Sequence, residues 1–326
     1  MNAAELKNQL PSLTNQRPIC VIGAAVIDVI ADAYSLPHRG SDIELHQQGV
    51  NVGGCALNIA ITLHRLGLSS LNALPMGQGI WADIIRKTLN EKGIVSALET
   101  DKGDNGWCLA LVEPDGERTF LSVSGVENQW DKETLSSLKL QPDTLIYLSG
   151  YQLASATGGV LIDWLESLES NIELFIDFGP RIEDISEQQL ARLMALKPMV
   201  SLNRQEAELM DARISGHTSV LSAETLADDW YNRYGCPLII RVDKEGACYH
   251  DGKQKGWVKP FPAQVVDTIG AGDSHAGGVL AALSSGWSLA DAVTLGNAVA
   301  SYVVSHRGGD CAPSVTELSE YLKQYI

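Results

Sequence analysis

No two of the six cysteines (Cys20, Cys55, Cys108, Cys236, Cys248, Cys311) stand in a C-x-x-C pair. This excludes a zinc ribbon or a disulfide framework and suits reduced thiols in a cytoplasmic protein. Basic residues are few: 24 Lys and Arg face 40 Asp and Glu, for a net charge of −16 and a pI near 4.8. Nucleic acid and anionic membrane are therefore excluded as main partners. A phosphate ligand needs local help from backbone amides, a basic residue or Mg²⁺. Long apolar runs are absent as well. The stretch Ile19–Ile27 is too short to cross a membrane and lacks the arrangement of a cleavable signal, so no membrane partner is expected. The seven histidines show no metal spacing. There is no G-x-x-x-x-G-K-[ST] and no G-x-G-x-x-G after the first strand, which excludes a P-loop kinase and argues against a dinucleotide enzyme.

What is present is an α/β rhythm. With 45% hydrophobic and 20% charged residues, the 326-residue chain has ample core for one large α/β domain or two ordinary ones. The run from Ile19 reads as a central strand buried on both faces, with the charge of Asp28 where it should emerge. Gly53 and Gly54 open an amphipathic helix through Leu66, Leu71–Met76 reads as a strand and Ile80–Glu91 as a helix. Trp107–Glu113 and Glu117–Val123 flank the turn Pro114-Asp115-Gly116 and predict a hairpin. From Leu145 on, strands at Leu145–Leu148, Leu174–Asp177, Val200–Leu202 and Leu238–Val242 alternate with helices near 157–169, 186–196, 204–211 and 222–234. Ser186 with Gln189, and Ser288 with Asp291, resemble capping boxes. Such alternation predicts a mostly parallel sheet with helices on both faces. The β-rich insertions at about 30–52 and 104–124 break that rhythm and are expected to pair as a small lid over the active-site end. No linker divides the chain, so residues 1–326 read as one domain.

The stretch Val265–Gly278 concentrates the chemistry. Two β-branched residues are expected to close a strand. A Gly-Ala-Gly turn follows, and a helix of small residues starts at Asp273, burying Ala276, Val279, Leu280 and Leu283 at three-to-four spacing. Amides gathered at a helix N-terminus suit an anion such as phosphate. A carboxylate there is either a helix cap or a proton acceptor beside the phosphate. Gly272-Asp273-Ser274-His275-Ala276 also comes close to a nucleophile elbow, with Asp291 and His306 following in triad order. Those two residues are expected at opposite ends of one helix, which argues against a hydrolase.

Gly53-Gly54-Cys55-Ala56-Leu57-Asn58-Ile59-Ala60 and Asp267-Thr268-Ile269-Gly270-Ala271-Gly272-Asp273 resemble the two signatures of the PfkB (ribokinase-like) carbohydrate kinase family. Asn203-Arg204-Gln205-Glu206 resembles its N-x-x-E element, and Asp115-Gly116-Glu117-Arg118-Thr119 its lid hairpin, all in the family's order. The resemblance implies a ribokinase-like three-layer α/β sandwich with a mostly parallel central sheet and a β-sheet lid. It also implies an ATP-dependent enzyme that phosphorylates a hydroxymethyl group of a sugar or sugar-containing compound. Asp273 would be the general base, with Gly270, Ala271 and Gly272 forming the anion hole. Asp28, Gly53, Gly54 and Asn58 would bind the sugar: a carboxylate accepts from paired hydroxyls, glycines admit backbone to the ring, and Asn58 both donates and accepts. Asn203 and Glu206 would hold Mg²⁺ through water, with a capping box as the alternative that their spacing allows.

Further implied roles rest on weaker matches. Asp177-Phe178-Gly179-Pro180-Arg181 resembles a D-x-N-x-R element with Gly179 in the Asn position, so Arg181 would face phosphate or substrate, or pair with an Asp on the surface. Lys244, Gly246 and Asn297 would lie near the nucleotide. Asp267, Ile269, Val304 and Gly309 match where relatives bind K⁺. At Gly77-Gln78-Gly79-Ile80-Trp81-Ala82 the family's G-x-D-x-x-G loses its Asp and second Gly, a departure at the substrate end. A homodimer through the lid is expected. The competing readings are a nucleoside kinase of the same family and a sugar-binding regulatory relative without turnover.

Overall fold

Gly23 cuts the apolar run at 19–27 into strands of two different sheets. Ile19–Ile22 (β1) lies in the large sheet and Val26–Asp32 (β2) in the lid. A Cβ at residue 23 would stand 2.7 Å from the Ala56 Cβ, so the chain turns there under the helix that carries Ala56. The expectation of one buried central strand is thereby corrected: apolar continuity hides a sheet boundary because both sheets bury this stretch. Asp28 consequently sits mid-strand in the lid, not at the end of a central strand.

The computed structural model describes residues 1–114, 117–169, 171–215 and 222–326. The remaining strands are β3 (His46–Gly53), β4 (Leu71–Ala73), β5 (Trp107–Val112), β6 (Arg118–Val123), β7 (Leu145–Ser149), β8 (Glu173–Asp177), β9 (Met199–Asn203), β10 (Leu238–Arg241), β11 (Ala247–His250) and β12 (Lys255–Val258). The helices begin with α1 (Ala3–Gln9), α2 (Cys55–Arg65), α3 (Ile80–Glu91), α4 (Lys132–Ser137), α5 (Gly150–Leu153) and α6 (Gly158–Glu166). They continue with α7 (Glu187–Ala195), α8 (Arg204–Ser215), α9 (Ala223–Tyr234), α10 (Ala271–Ser284), α11 (Leu289–Val303) and α12 (Val315–Leu322).

The large sheet runs β12-β11-β10-β9-β8-β7-β1-β4, parallel from β10 to β4 and antiparallel at β11 and β12. Its inner strands β1 and β7 are buried at every position because both faces are covered. Ile19, Val21, Tyr147, Phe175 and Ile239 face α2, α10 and α11. Cys20, Ile146, Leu148, Ile176 and Ile240 face the opposite core under α6, α7 and α9. Strand order reverses between β1 and β7, and open α/β sheets bind ligands at the carboxyl ends of strands beside such a switch point.

The lid is a separate sheet, β3-β2-β5-β6, in which the two insertions pair through parallel β2 and β5. Its β5–β6 hairpin forms as expected, while Asp115 and Gly116 of its turn lie outside the described residues.

The small residues of α10 have a packing reason. A Cβ on Gly277 would reach 2.7 Å from Thr62 of α2, and one on Gly278 would reach 3.0 Å from the Gly296 Cα of α11. Two expectations here are corrected. Val265 and Val266 form no strand; both are exposed, and the Val266 N–H donates to the Val304 carbonyl at 2.7 Å. The helix starts at Ala271 with Gly270 as its cap, so Asp273 is its third residue. Ser186 and Gln189 form a reciprocal capping box. At Ser288 the Asp291 carboxylate instead takes the serine hydroxyl at 2.7 Å, so that cap is one-sided.

His275, on α10, is 2% exposed, and neither ring nitrogen has a hydrogen-bond partner. Burial, with the Arg241 charge nearby, pushes its pKa down to about 3. Folding thus requires a neutral ring. The unfolded chain takes up the proton first as pH falls below the ordinary histidine range, and stability falls with it. His275→Phe keeps the ring outline and removes two unpaired polar atoms. It is expected to stabilise the protein by about 1–2 kcal/mol at pH 7, and by more at pH 5. Thermal melts at the two pH values check this; a lower melting temperature for the variant at both would contradict it.

Candidate active site

The site forms where the carboxyl ends of β8, β9 and β10 meet the N-termini of α2 and α10, under the lid. Gly54 caps α2 with φ +114°, and a Cβ there would lie 2.4 Å from the Ala24 carbonyl oxygen, so only glycine fits. One turn along, the Asn58 Nδ2 donates to the Asp273 Oδ2 at 2.7 Å. This bond joins the two glycine-rich signatures across 215 residues of chain. On the lid side, Asp28 pairs in register with Asn51 and Cys108. Its carboxylate fills the space beside Gly53, where a Cβ would come within 2.5 Å of Oδ2. Burial raises the Asp28 pKa to about 6.

The first turn of α10 leaves amide donors at a helix N-terminus, where the partial positive charge favours an anion. Gly270 has φ +71°, and a Cβ there would strike Gly309 at 2.5 Å. Among the described residues the Gly270, Gly272 and Asp273 amides donate to no protein acceptor. The Ala271 amide differs from expectation: it donates to the Thr268 carbonyl at 3.3 Å, and the Asp273 amide takes its place among the open donors. Burial pushes the Asp273 carboxyl up, and the neighbouring Asp177 charge adds to this. The Asn58 hydrogen bond, the Cys55 thiol and the Arg241 charge oppose the shift. Cys55 is held protonated by burial and by Asp273 and Asp177, which disqualifies it as a nucleophile. Ser274 is fully buried with its hydroxyl unpartnered, so it is not presented as a nucleophile.

Asn203 and Glu206 form the reciprocal cap that their spacing allowed. The Asn203 N–H and Nδ2 donate to Glu206 at 2.8 and 2.7 Å, and the Glu206 N–H returns a bond at 2.8 Å. Burial, with the Asp177 charge behind it, raises the Glu206 carboxyl, and Arg241 opposes this. A carboxylate so engaged suits a hydrated cation better than a directly bound one. No group of three or more His, Cys, Asp or Glu side chains able to hold a metal occurs among the described residues.

The residues matched to K⁺ also meet. Asp267 accepts from the Ile269 and Gly308 amides at 3.1 Å each, and the Val304 carbonyl from Val266 and Asp267. Among the described residues the Ile269 and Gly309 carbonyls accept no hydrogen bond, so fit to a cation rests on these two.

Other expected contacts are arranged differently. Arg181 pairs with Asp184, and both are about half exposed, so the surface alternative holds; its charge also reaches the Tyr151 phenol at the site's rim. Lys244 is exposed on the turn Asp243–Glu245, while Gly246 is buried against the Val258 carbonyl. Asn297 spends its amide on the Val258 and Lys259 carbonyls at 3.0 and 3.2 Å.

Sequence reasoning missed two participants. Arg241 ends β10 and binds Asp177 at 2.7 Å; it is the buried cation of the site. Its one sequence signal is a charge closing an apolar strand. Asp104 accepts locally from the Asn105 amide at 2.8 Å and also caps α3, accepting from the Trp81 and Ala82 amides at 3.1 and 2.7 Å. A Cβ on Gly79 would collide with it at 2.3 Å. A carboxylate thus caps the start of α3 although residue 79 is glycine.

The model of the pfkB family of carbohydrate kinases matches residues 16–315, which takes in every element of the site just described. The chain belongs to that family. It is 60% identical over 320 residues, 98% of each chain, to a protein of Escherichia coli (strain K12) named as a sugar kinase, YegV. It is 25% identical over 293 residues to the 5-dehydro-2-deoxygluconokinase of Geobacillus kaustophilus (strain HTA426), covering 84% of this chain and 85% of the other. In structure it matches ribokinase from Thermotoga maritima with a TM-score of 0.78 at 20% identity, over 94% of this chain and 99% of that one. The fold is ribokinase-like, and this family member is a carbohydrate kinase.

Proposed function

We propose that the chain transfers the γ-phosphoryl group of ATP to a hydroxymethyl group of a sugar or sugar-containing compound, with Asp273 as general base. The observation that carries this reading is the Asn58–Asp273 hydrogen bond, which ties the sugar-side glycine turn to the phosphate-side one. Asp273 takes the hydroxyl proton as that oxygen bonds to the γ-phosphorus and ADP leaves. The open amides of Gly270, Gly272 and Asp273 face the charge that develops, with the Ala271 amide beside them. Asp28, held against Gly53, accepts from sugar hydroxyls, and Gly54 keeps the backbone close.

Asn203 and Glu206 are the residues that would hold Mg²⁺, through water; bound there, the ion neutralises charge on the phosphates. Asp267, Ile269, Val304 and Gly309 would border K⁺. Lys244, Gly246 and Asn297 line the nucleotide side of this reading, and Arg181 the rim on the acceptor side. A homodimer through the lid is supported by exposed apolar residues on its sheet, Val50, Phe120, Leu121 and Val123. Six unpaired cysteines suit a reducing cytoplasm.

Measuring ADP release over a panel of ketohexoses, ribose-like sugars, sugar acids and nucleosides tests the reading. A sugar is expected to give turnover. Turnover with nucleosides alone would make this a nucleoside kinase, and sugar binding without ADP release would make it a regulatory relative.

A further inference from the structure

The open amides at the start of α10 meet an anion productively only if the turn itself is held in place, and one side chain spans the elements that must hold it. Arg241 lies at the carboxyl end of β10, two strands from Asp177 in the sheet order. Its Nη1 donates to the Asp177 Oδ2 at 2.7 Å and to the Gly272 carbonyl at 3.2 Å. Its Nη2 lies 3.5 Å from the Asp177 Oδ1 and 3.6 Å from the Glu206 Oε2. The side chain is only 14% exposed. A Cβ on Gly272 would stand 3.3 Å from Nη1, so a small residue at 272 leaves the guanidinium its approach. A guanidinium is a rigid planar fork, and partners on its edges are fixed relative to one another.

Resting on the kinase reading above, we propose that Arg241 is a positioning residue for phosphoryl transfer. It braces the Gly272 carbonyl against the ends of β8 and α8, so that the first-turn amides and Asp273 stay aimed at the phosphate. The brace bears on the peptide that links Gly272 to Asp273, the base itself. Arg241 also balances the carboxylates gathered here, Asp177, Glu206 and Asp273, in a site that must admit a further polyanion. A lysine at 241 keeps the charge, but its single ammonium on a flexible stem cannot hold Asp177 and Gly272 in the same fixed geometry.

The test compares wild type with Arg241→Lys and with the double variant Asp177→Asn/Arg241→Met, which removes the guanidinium together with its nearest carboxylate, so that Asp177 is not left charged without its partner. In both, kcat is expected to fall about 10- to 100-fold, the order of loss from a displacement of about 1 Å. KM for ATP and for the sugar should stay within about threefold. Hydrogen exchange in peptides spanning residues 270–280 should quicken. Wild-type kcat in either variant overturns the brace. So does a raised KM for ATP at unchanged kcat, which would make Arg241 a ground-state nucleotide ligand. Failure of the kinase reading looks different: the wild type then releases no ADP with any acceptor. The exchange measurement still decides the brace in that event, and unchanged exchange in Arg241→Lys overturns it.

Discussion

Asp273→Asn is expected to lower kcat by at least about 10²-fold, the lower range for loss of a general base, while a non-hydrolysable ATP analogue binds within a few-fold of wild type. The two halves of that expectation have different physical sources. Binding of the phosphates draws on the amides at the start of α10, whose geometry is set by Gly270 at φ +71° and its contact with Gly309. An asparagine leaves that turn intact and still offers an oxygen to the Asn58 Nδ2, which now sits 2.7 Å from the aspartate. What it cannot do is accept a proton. Burial and the Asp177 charge raise the Asp273 carboxyl, strengthening it as a base relative to an exposed aspartate, while Asn58, Cys55 and Arg241 oppose the rise. Steady-state kinetics with calorimetry of the analogue checks both halves. Turnover near wild type in this variant sinks the assignment of the base.

The second large effect is at Asp28. The ionised carboxylate is the form that accepts from a pair of sugar hydroxyls, and burial has raised its pKa to about 6. Sugar kcat/KM in wild type is therefore expected to fall as pH drops below about 6, and Asp28→Asn should lose that limb of the profile. At pH 8 the same variant should raise the sugar KM about 10- to 100-fold, the scale of a lost hydrogen bond to a charged group.

Stability moves the other way. A carboxyl whose folded pKa exceeds its unfolded value binds the proton more tightly when folded, so ionisation of Asp28 destabilises the sugar-free protein at high pH. Asp28→Asn should melt at a higher temperature than wild type at pH 8, with the difference closing as pH falls toward 4. Lost affinity together with gained stability marks a residue kept for its ligand. Loss of both would mean that Asp28 serves the lid's structure.

Local features were legible in the chain. The period of the apolar residues gave α3 its observed bounds of Ile80 and Glu91, and strand β8 its end at Asp177. Both glycine-rich signatures were visible because each is a short stretch in which backbone and side chain act together. Asn203 and Glu206 were visible for the same reason: three residues apart at a helix start, they find each other whatever the rest of the chain does.

The misreadings came where an outcome depends on distant partners. The run at 19–27 is apolar from end to end, and only the packing of Ala56 against Gly23 divides it between two sheets. Val265 and Val266 have the β-branching of a strand, yet their neighbour is the end of α11, and among the described residues no strand pairs with them. Asp104 could not be read as the cap of α3, because 22 residues separate it from Ala82.

By itself, then, the sequence determined the alternating elements, the two glycine-rich turns on either side of the site, and the family to which they point. These rest on interactions between residues close in the chain, where spacing translates directly into geometry. Tertiary structure alone decided that Asp28 lies mid-strand in the lid, that Asn58 meets Asp273, and that Arg241 gathers Asp177, Glu206 and Gly272. Those contacts exist because parallel strands β8, β9 and β10 end side by side. That order is a property of the sheet, and no stretch of residues encodes it locally.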